Sequence, residues 1–361
     1  MAQSSSSPEP LPNLFRRVAP SYEQVDPYDG PGLRWGILGP GGIARTFARD
    51  VPANSNQVVT AVGSRDRGRA LRFAEEFNLD RAQAYGSYEE LVADPNVDVI
   101  YVATPHVRHE RDALLALHAG KPVLVEKAFA MSQEETHRVF ETAAAANLFV
   151  MEGMWSRHLP HYAFLRAALQ SGKLGRLRLV QADHGQALRH VPRLTQPELG
   201  GGALLDLGVY PISLEQMLLG MPSDLLSSSR LSDLGVDISD VVVAAYPGAN
   251  AIATCQMDAA SPTVATLVFE GGVIHLARPF YGPTKVELFV HDIDPETLAV
   301  RSSERSTWDA RVPGGFQYQA AEAARCIVAG ELESPTVPWG ATLEVQKIMD
   351  TVLANAGYVG R

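Results

Sequence analysis

Short apolar runs alternate with amphipathic stretches over the first half of the chain. Segments 33–38 (LRWGIL), 58–64 (VVTAVGS), 97–103 (VDVIYVA) and 122–126 (PVLVE) are nearly continuous in Val, Ile and Leu, the pattern of strands buried on both faces. Between them, RGRALRFAEEF (67–77) and RHERDALLALHAG (108–120) repeat apolar residues at helical spacing, and Gly120 stands where a helix C-cap is expected. Strand, helix and strand joined by short links predict a doubly wound parallel sheet, an α/β domain. After about residue 156 the period changes. A helical segment (161–171) and the run LRLVQADHG (177–185) precede, from about 224 to 304, strands separated by turn signals such as Pro247-Gly248-Ala249-Asn250 and Gly271-Gly272. Hairpin-linked strands run antiparallel, so this half predicts an α+β domain on an open, mostly antiparallel sheet. Helical patterns return over 316–334 and 341–357 and are expected to pack back on the first domain. The division is therefore 33–155 and 156–361, preceded by residues 1–32. That first segment is polar and Pro-rich (Pro8, Pro10, Pro12, Pro20, Pro27, Pro31) and reads as a tail or an arm without a core of its own.

Composition narrows the function classes. The chain has 361 residues, 46% hydrophobic and 20% charged, with a net charge of -10, so nothing draws it to nucleic acid or an anionic membrane. An anionic ligand would need a local basic patch. Cys255 and Cys326 lack metal or redox spacing and suit a reducing cytoplasm. No apolar run reaches membrane-spanning length, and the N-terminus has neither a basic start nor an apolar core of a signal peptide.

The first apolar run leads directly into Gly39-Pro40-Gly41-Gly42-Ile43-Ala44 and then a helical pattern. This is G-x-G-x-x-A at a strand-to-helix junction, the setting of a dinucleotide-binding loop. Gly39 serves the tight turn, Gly41 admits a pyrophosphate close to the backbone, Ala44 keeps helix and strand close, and the helix N-terminus offers free amides. An NAD site usually ends the next strand with an acid on the ribose 2'-hydroxyl. Here Ser64 and Arg65 occupy that position, with Arg69 nearby, which suits the 2'-phosphate of NADP. A shift of two positions to Asp66 restores an NAD reading. At the carboxyl end of the next long strand, Thr104 and Pro105 would shape the loop past the nicotinamide, and His106 would face cofactor or substrate. His106 and His109 lack a third ligand of matching spacing, so no metal is expected. Glu126 closes the run 122–126 and Lys127 follows it. In GGGALLDLGVYPISL (200–214), Asp206 and Tyr210 stand one helical turn apart in an otherwise small or apolar run. By itself that spacing also fits a partly exposed helix start with Asp206 solvated.

With the G-x-G-x-x-A loop, Thr104-Pro105-His106, Glu126-Lys127 and Asp206-Leu207-Gly208-Val209-Tyr210 in this order, the chain resembles the glucose-fructose oxidoreductase, inositol dehydrogenase and MocA superfamily. VATPHVRH, FVMEGMWSRHLP and LGGGALLDLGVYPISL are most similar to its dimeric dihydrodiol dehydrogenase and NADP-dependent D-xylose dehydrogenase branch. The resemblance implies an N-terminal Rossmann domain and a C-terminal sheet used for contacts in a homodimer or homotetramer. It implies that Lys127, Asp206 and Tyr210 share the active site, Tyr210 exchanging a proton with the substrate while Lys127 favours its phenolate and Asp206 orients or tunes the pair. The family usually has Pro after the lysine, where this chain has Ala128, so Lys127 lacks the restriction that a following proline imposes. Trp155, Arg157 and His158 at the domain junction, and Arg189 with His190 and Arg193 in the long loop 185–202, are candidates for substrate contacts. The implied function is an NADP-dependent oxidoreductase acting on a sugar or cyclic diol or polyol. The alternatives are a ketoreductase of a modified or nucleotide-linked sugar, a non-catalytic NADP-binding sensor or scaffold, and a glycoside hydrolase cycling a bound NAD.

Overall fold

Two sheets organise residues 8–358, the part of the chain that the computed structural model describes. After a short helix, α1 (Asn13–Val18), strands β1 (Arg34–Leu38), β2 (Val58–Gly63), β3 (Ala84–Tyr85), β4 (Val99–Val102), β5 (Val123–Glu126) and β6 (Val150–Gly153) alternate with α2 (Gly42–Ala53), α3 (Arg67–Glu76), α4 (Tyr88–Val92), α5 (His109–His118) and α6 (Gln133–Ala146). The six strands are all parallel, in the order β3-β2-β1-β4-β5-β6. β4 (VIYV) and β5 (VLVE) are buried at every position, as their largely apolar runs require when helices cover both faces. Two strands were not marked by such runs: β3 is two residues long, and β6 carries the buried Glu152. Helix starts follow local chemistry. Asp66 caps α3, Ser87 and Glu90 form a capping box on α4, and Ser132 caps α6, whose far end closes on Asn147 in the left-handed region.

The second half comprises α7 (Pro160–Ser171), β7 (Leu177–Gly185), α8 (Pro192–Thr195), α9 (Val209–Leu219), the strands β8 (Asp224–Leu231), β9 (Asp237–Tyr246), β10 (Ala249–Gln256), β11 (Ala265–Phe269), β12 (Gly272–Leu276), β13 (Lys285–Ile293) and β14 (Val300–Asp309), then α10 (Phe316–Ala329) and α11 (Trp339–Ala356). The eight strands follow the order β14-β13-β12-β11-β7-β10-β9-β8. β7 lies in the middle, antiparallel to β11 but parallel to β10, so one parallel pair joins two antiparallel blocks. Along β9 to β12 buried and open positions alternate, with one face on the core. On the other face Leu226, Val243 and Ile252 form a row across three strands. α10 packs on α2, and α11 on α6, where Trp339 stacks on Phe140 at 5.0 Å and donates to the carbonyl of Val150.

Residues 1–7 of the expected tail lie outside the described residues. From Pro8 the segment lies along both domains. Leu14, Phe15 and Val18 of α1 are buried, with Phe15 against Phe164 and Trp308, and Trp308 Nε1 donates to the carbonyl of Glu9. Farther on, the Tyr28 hydroxyl donates to the carbonyl of Ala53 at the end of α2, and Arg325 of α10 donates to the carbonyl of Asp29. Among its prolines, the apolar set of α1 is what joins this arm to the core.

Candidate functional site

A cleft of about 610 Å³ lies at the carboxyl ends of the parallel strands and reaches the second domain. Its first half is built by the loop after β1. Gly39 has φ +92°, and a Cβ there would meet the Ala103 carbonyl at 3.0 Å, so glycine is required at this turn. Gly41 and Gly42 are small for another reason: a Cβ on either would point into nearly open space, leaving bare backbone beside the cleft. Gly41 has no side-chain cap to offer, so the first-turn amides of α2 remain for a ligand. Ile43 lines the cleft and Ala44 is fully buried against the sheet. Arg45 holds the loop in shape by donating to the carbonyls of Pro40 and Gly41.

Ser64, Arg65, Asp66 and Arg69 all line the cleft after β2. The Asp66 carboxylate is turned to α3, where Oδ1 accepts from the amides of Gly68 (2.8 Å) and Arg69 (3.3 Å). Arg65 and Arg69 are exposed, and among the described residues neither forms an ion pair. Two unpaired guanidiniums beside an engaged carboxylate fit a 2'-phosphate better than a bare ribose hydroxyl. Across the cleft Thr104 is 8% exposed, and its hydroxyl has no hydrogen-bond partner within the protein, a polar group ready for a ligand. Pro105 and His106 line the same wall. His106 is held neutral, its pKa lowered to about 3 chiefly by burial and by its neighbour His109, and its Nδ1 lies 3.3 Å from the Gly200 carbonyl. His109 is engaged by two carbonyls, those of Ala128 (2.9 Å) and Thr104 (2.7 Å).

The other half of the cleft is centred on Lys127. Its Nζ donates to the backbone carbonyl of Asp206 at 2.6 Å, lies 3.3 Å from the Asp206 Oδ1, and stands over the ring of Tyr210, 4.9 Å from the centroid. The Lys127–Ala128 peptide is cis. Asp206 is 7% exposed, and Arg193 from the long loop also donates to its Oδ1 at 3.1 Å. Burial alone would raise the carboxyl; the Lys127 and Arg193 cations hold it well below the usual range, so it is ionised. Asp206 sits in a π-helical turn, Leu204–Gly208, that runs into α9. The reading of this run as a solvated helix start does not hold, since Asp206 and Tyr210 are both buried. Each of the three glycines before the turn has its own neighbour: Met131 and His106 at Gly200, the Leu194 and Gln196 carbonyls at Gly201, and Asp237 at Gly202.

Tyr210 differs from the expectation that Lys127 would stabilise its phenolate. The cation faces the ring, and the hydroxyl accepts from Trp155 Nε1 at 3.0 Å. Burial first, and then the nearby Glu126, push the phenol well above its ordinary value despite the Trp155 bond. Tyr210 is therefore a proton-bearing phenol. Its ring stacks on Tyr281 with centroids 4.3 Å apart. Glu126 itself takes a hydrogen bond from the Tyr101 hydroxyl and is raised to about 7 by burial.

Trp155 therefore serves Tyr210, and its ring stacks on Phe316 at 4.8 Å. Arg157 and His158 do not reach the cleft. The Arg157 guanidinium is buried on Ser213 and Gln216, at 2.6 to 2.8 Å, and tethers α9. His158 is buried, its pKa lowered to about 3 first by loss of solvation. Arg189 is exposed on the loop and outside the cleft wall; of the three basic residues there, Arg193 enters the site, carried inward by α8 and the buried Leu194. Tyr101 and Tyr281 were not identified from sequence. Tyr101 is indistinguishable there from its strand neighbours, whereas an aromatic pair within the turn Arg278-Pro279-Phe280-Tyr281-Gly282 was a usable signal.

Comparison with known proteins supplies the family. Residues 33–154 match an oxidoreductase family with an NAD-binding Rossmann fold, and residues 162–275 match the GFO/IDH/MocA C-terminal domain. The D-xylose 1-dehydrogenase (NADP(+)) of Hypocrea jecorina is 33% identical, the match covering 90% of this chain and 92% of that one. The human trans-1,2-dihydrobenzene-1,2-diol dehydrogenase is 34% identical over 90% of this chain and 97% of its own. Among solved structures, a 3-ketoreductase from Actinomadura kijaniata in complex with NADP and TDP-benzene superimposes with a TM-score of 0.75 at 26% identity, covering 89% of this chain and 97% of that one. The fold, the order of its motifs and these relatives agree: the chain belongs to the GFO/IDH/MocA family of oxidoreductases.

Proposed function

We propose that the protein is an NADP-dependent dehydrogenase or reductase that interconverts a hydroxyl and a carbonyl on a sugar or a cyclic diol or polyol. The observation that carries this reading is the position of Lys127, joined to Asp206 and facing Tyr210, at one end of a cleft whose other end holds the glycine loop and the arginines. The glycine loop and the first turn of α2 would hold the pyrophosphate, Ser64, Arg65 and Arg69 the 2'-phosphate, and Thr104, Pro105 and His106 would border the nicotinamide. Bound there, NADP supplies the chemistry of hydride uptake and return. The chain's own groups manage the proton. Asp206, ionised, holds Lys127 by two of its donors, and the Lys127 ammonium is free to orient a substrate oxygen. Tyr210 carries its proton at neutral pH and is suited to give it to a carbonyl oxygen, which favours reduction. In the oxidative direction the same phenol must first release its proton, so alkaline pH should favour that direction.

That protonated phenol also supports a second reading, a ketoreductase acting on a nucleotide-linked sugar, as with the Actinomadura relative. For assembly, the row Leu226, Val243 and Ile252 on the open sheet face supports a homodimer or homotetramer formed through the second domain. Two unpaired buried cysteines suit a cytoplasmic setting, and no helix among the described residues is long and apolar enough to cross a membrane.

The test is fluorescence titration with NADPH and NADH, followed by turnover with NADP+ on D-xylose and on trans-dihydrodiols. NADPH should bind more tightly, and Arg65→Ala should weaken NADPH about 10- to 100-fold, as expected for a lost charged hydrogen bond, while NADH is unaffected. Tighter NADH binding overturns the 2'-phosphate assignment. Cofactor binding without turnover on any sugar, diol or ketone would transfer the case to a non-catalytic sensor.

A further inference from the structure

Beneath the π-helical turn, on the side away from the cleft, lies a second pair of acids that the reaction does not use directly. Asp237 and Asp240 are 0% and 1% exposed. Three residues apart on a regular strand they would point to opposite faces. In β9 the register shifts, with Leu231 opposite Asp237 but Arg230 opposite Ser239, so Ile238 is an extra residue and both carboxyls turn inward. Asp237 Oδ2 accepts from the amide of Leu204, the first residue of the turn, at 2.6 Å. At the other end of the turn Gly208 packs on Cys255, where a Cβ would lie 2.9 Å from Sγ. That thiol donates to Asp240 Oδ2 at 3.4 Å. Asp237, Asp240 and Cys255 thus support both ends of the segment that carries Asp206.

The remaining oxygen on each acid, Oδ1 of Asp237 and Oδ1 of Asp240, receives no donor. Two buried carboxylates side by side without a cation are untenable, and one shared proton removes both defects. Among the described residues neither acid forms an ion pair with an ammonium or guanidinium. The groups facing the pair are Cys255 from β10, Ser229 from β8 and the Leu204 amide. Burial and the adjacent Asp240 push Asp237 well above the ordinary carboxyl range, so Asp237 holds the proton.

We propose that Asp237 is a positioning residue for the reaction: as a protonated carboxyl shared with Asp240, it fixes the start of the π-helical turn and so sets how Asp206 meets Lys127. The inference rests on the proposed role of Asp206 and Lys127 as reacting-site groups.

Asn is the test substitution, because its Oδ1 can still accept from Leu204 while its amide nitrogen donates to Asp240 as the carboxyl proton does. Asp237→Ala removes both. Asp237→Ala should lower kcat about 10- to 100-fold, the scale of a misplaced catalytic group, with NADPH affinity unchanged. Asp237→Asn should recover most of that loss. The two should also differ from the parent in pH dependence. A raised carboxyl stabilises the fold below its ordinary pKa and loses that contribution as pH rises through its folded value. The parent should therefore lose thermal stability and kcat on the alkaline side at a lower pH than Asp237→Asn. A folded Asp237→Ala with parental kcat overturns the proposal, as does Asp237→Asn no better than Asp237→Ala. If Asp237→Ala does not fold, identical alkaline profiles for parent and Asp237→Asn overturn it. Absence of turnover in the parent tells against the proposed function instead, and the alkaline melting comparison then decides the shared proton.

Discussion

Tyr210 holds its proton because its surroundings are dry and acidic, and the single hydrogen bond from Trp155 does not offset that. Removing the hydroxyl tests its role directly. Tyr210→Phe should keep the fold and NADPH binding but lose at least ~100-fold in turnover, the usual range for a general acid or base; near-parental turnover would remove Tyr210 from the proton path. Glu126 offers a second test, through stability. Its carboxyl is raised from 4.5 to about 7 by burial, against the pull of Tyr101 and Lys127. A raised group contributes stability fully below its ordinary pKa and loses it as pH climbs through the folded value. Glu126→Gln keeps an acceptor for Tyr101 and does not titrate, so its melting temperature relative to the parent should rise between pH 4.5 and about 7. A flat difference would mean that Glu126 is ionised throughout.

At the scale of elements, the legible part was whatever repeats. The runs at 33–38, 58–64, 97–103 and 122–126 became β1, β2, β4 and β5 within a residue or two at each end, because a strand covered on both faces admits little except Val, Ile and Leu. The glycine loop was legible because its pattern is local: Gly39 is fixed by the Ala103 carbonyl, while Gly41 and Gly42 leave bare backbone beside the cleft. Less legible was the π-helical turn, since its ends meet Asp237 and Cys255, both distant in sequence. The exclusion of Arg157 from the cleft was illegible for the same reason: its partners, Ser213 and Gln216, are set by tertiary packing. The glycine triplet lends itself to measurement. Gly202 has φ +140°, and a Cβ would fall 2.1 Å from the Asp237 Oδ1. Gly202→Ala should cost roughly 1–3 kcal/mol for backbone strain alone, read as a lowered melting temperature, whereas Gly42→Ala, where a Cβ meets nothing within 4 Å, should leave stability nearly unchanged and weaken cofactor binding.

For the molecule as a whole, the alternation of patterns reads as two domains preceded by a Pro-rich tail or arm. In the structure the apolar residues of that segment, Leu14, Phe15 and Val18, form one buried side of α1. Phe15→Ala should destabilise the fold by about 3–5 kcal/mol, as for other buried aromatics, and leave NADPH affinity unchanged under native conditions, because Phe15 touches Phe164 and Trp308 and not the cleft. An unaltered unfolding midpoint would show that the arm merely lies on the surface.

The bond between Glu9 and Trp308 joins residues 299 positions apart. Translation delivers the apolar side of α1 well before β14, the strand that covers it, has left the ribosome. During that interval the parallel sheet can close, since all its strands end by Gly153, while Phe15 still lacks Trp308. The nascent chain thus carries an apolar segment that waits for its covering strand across the 299 positions that the finished bond spans.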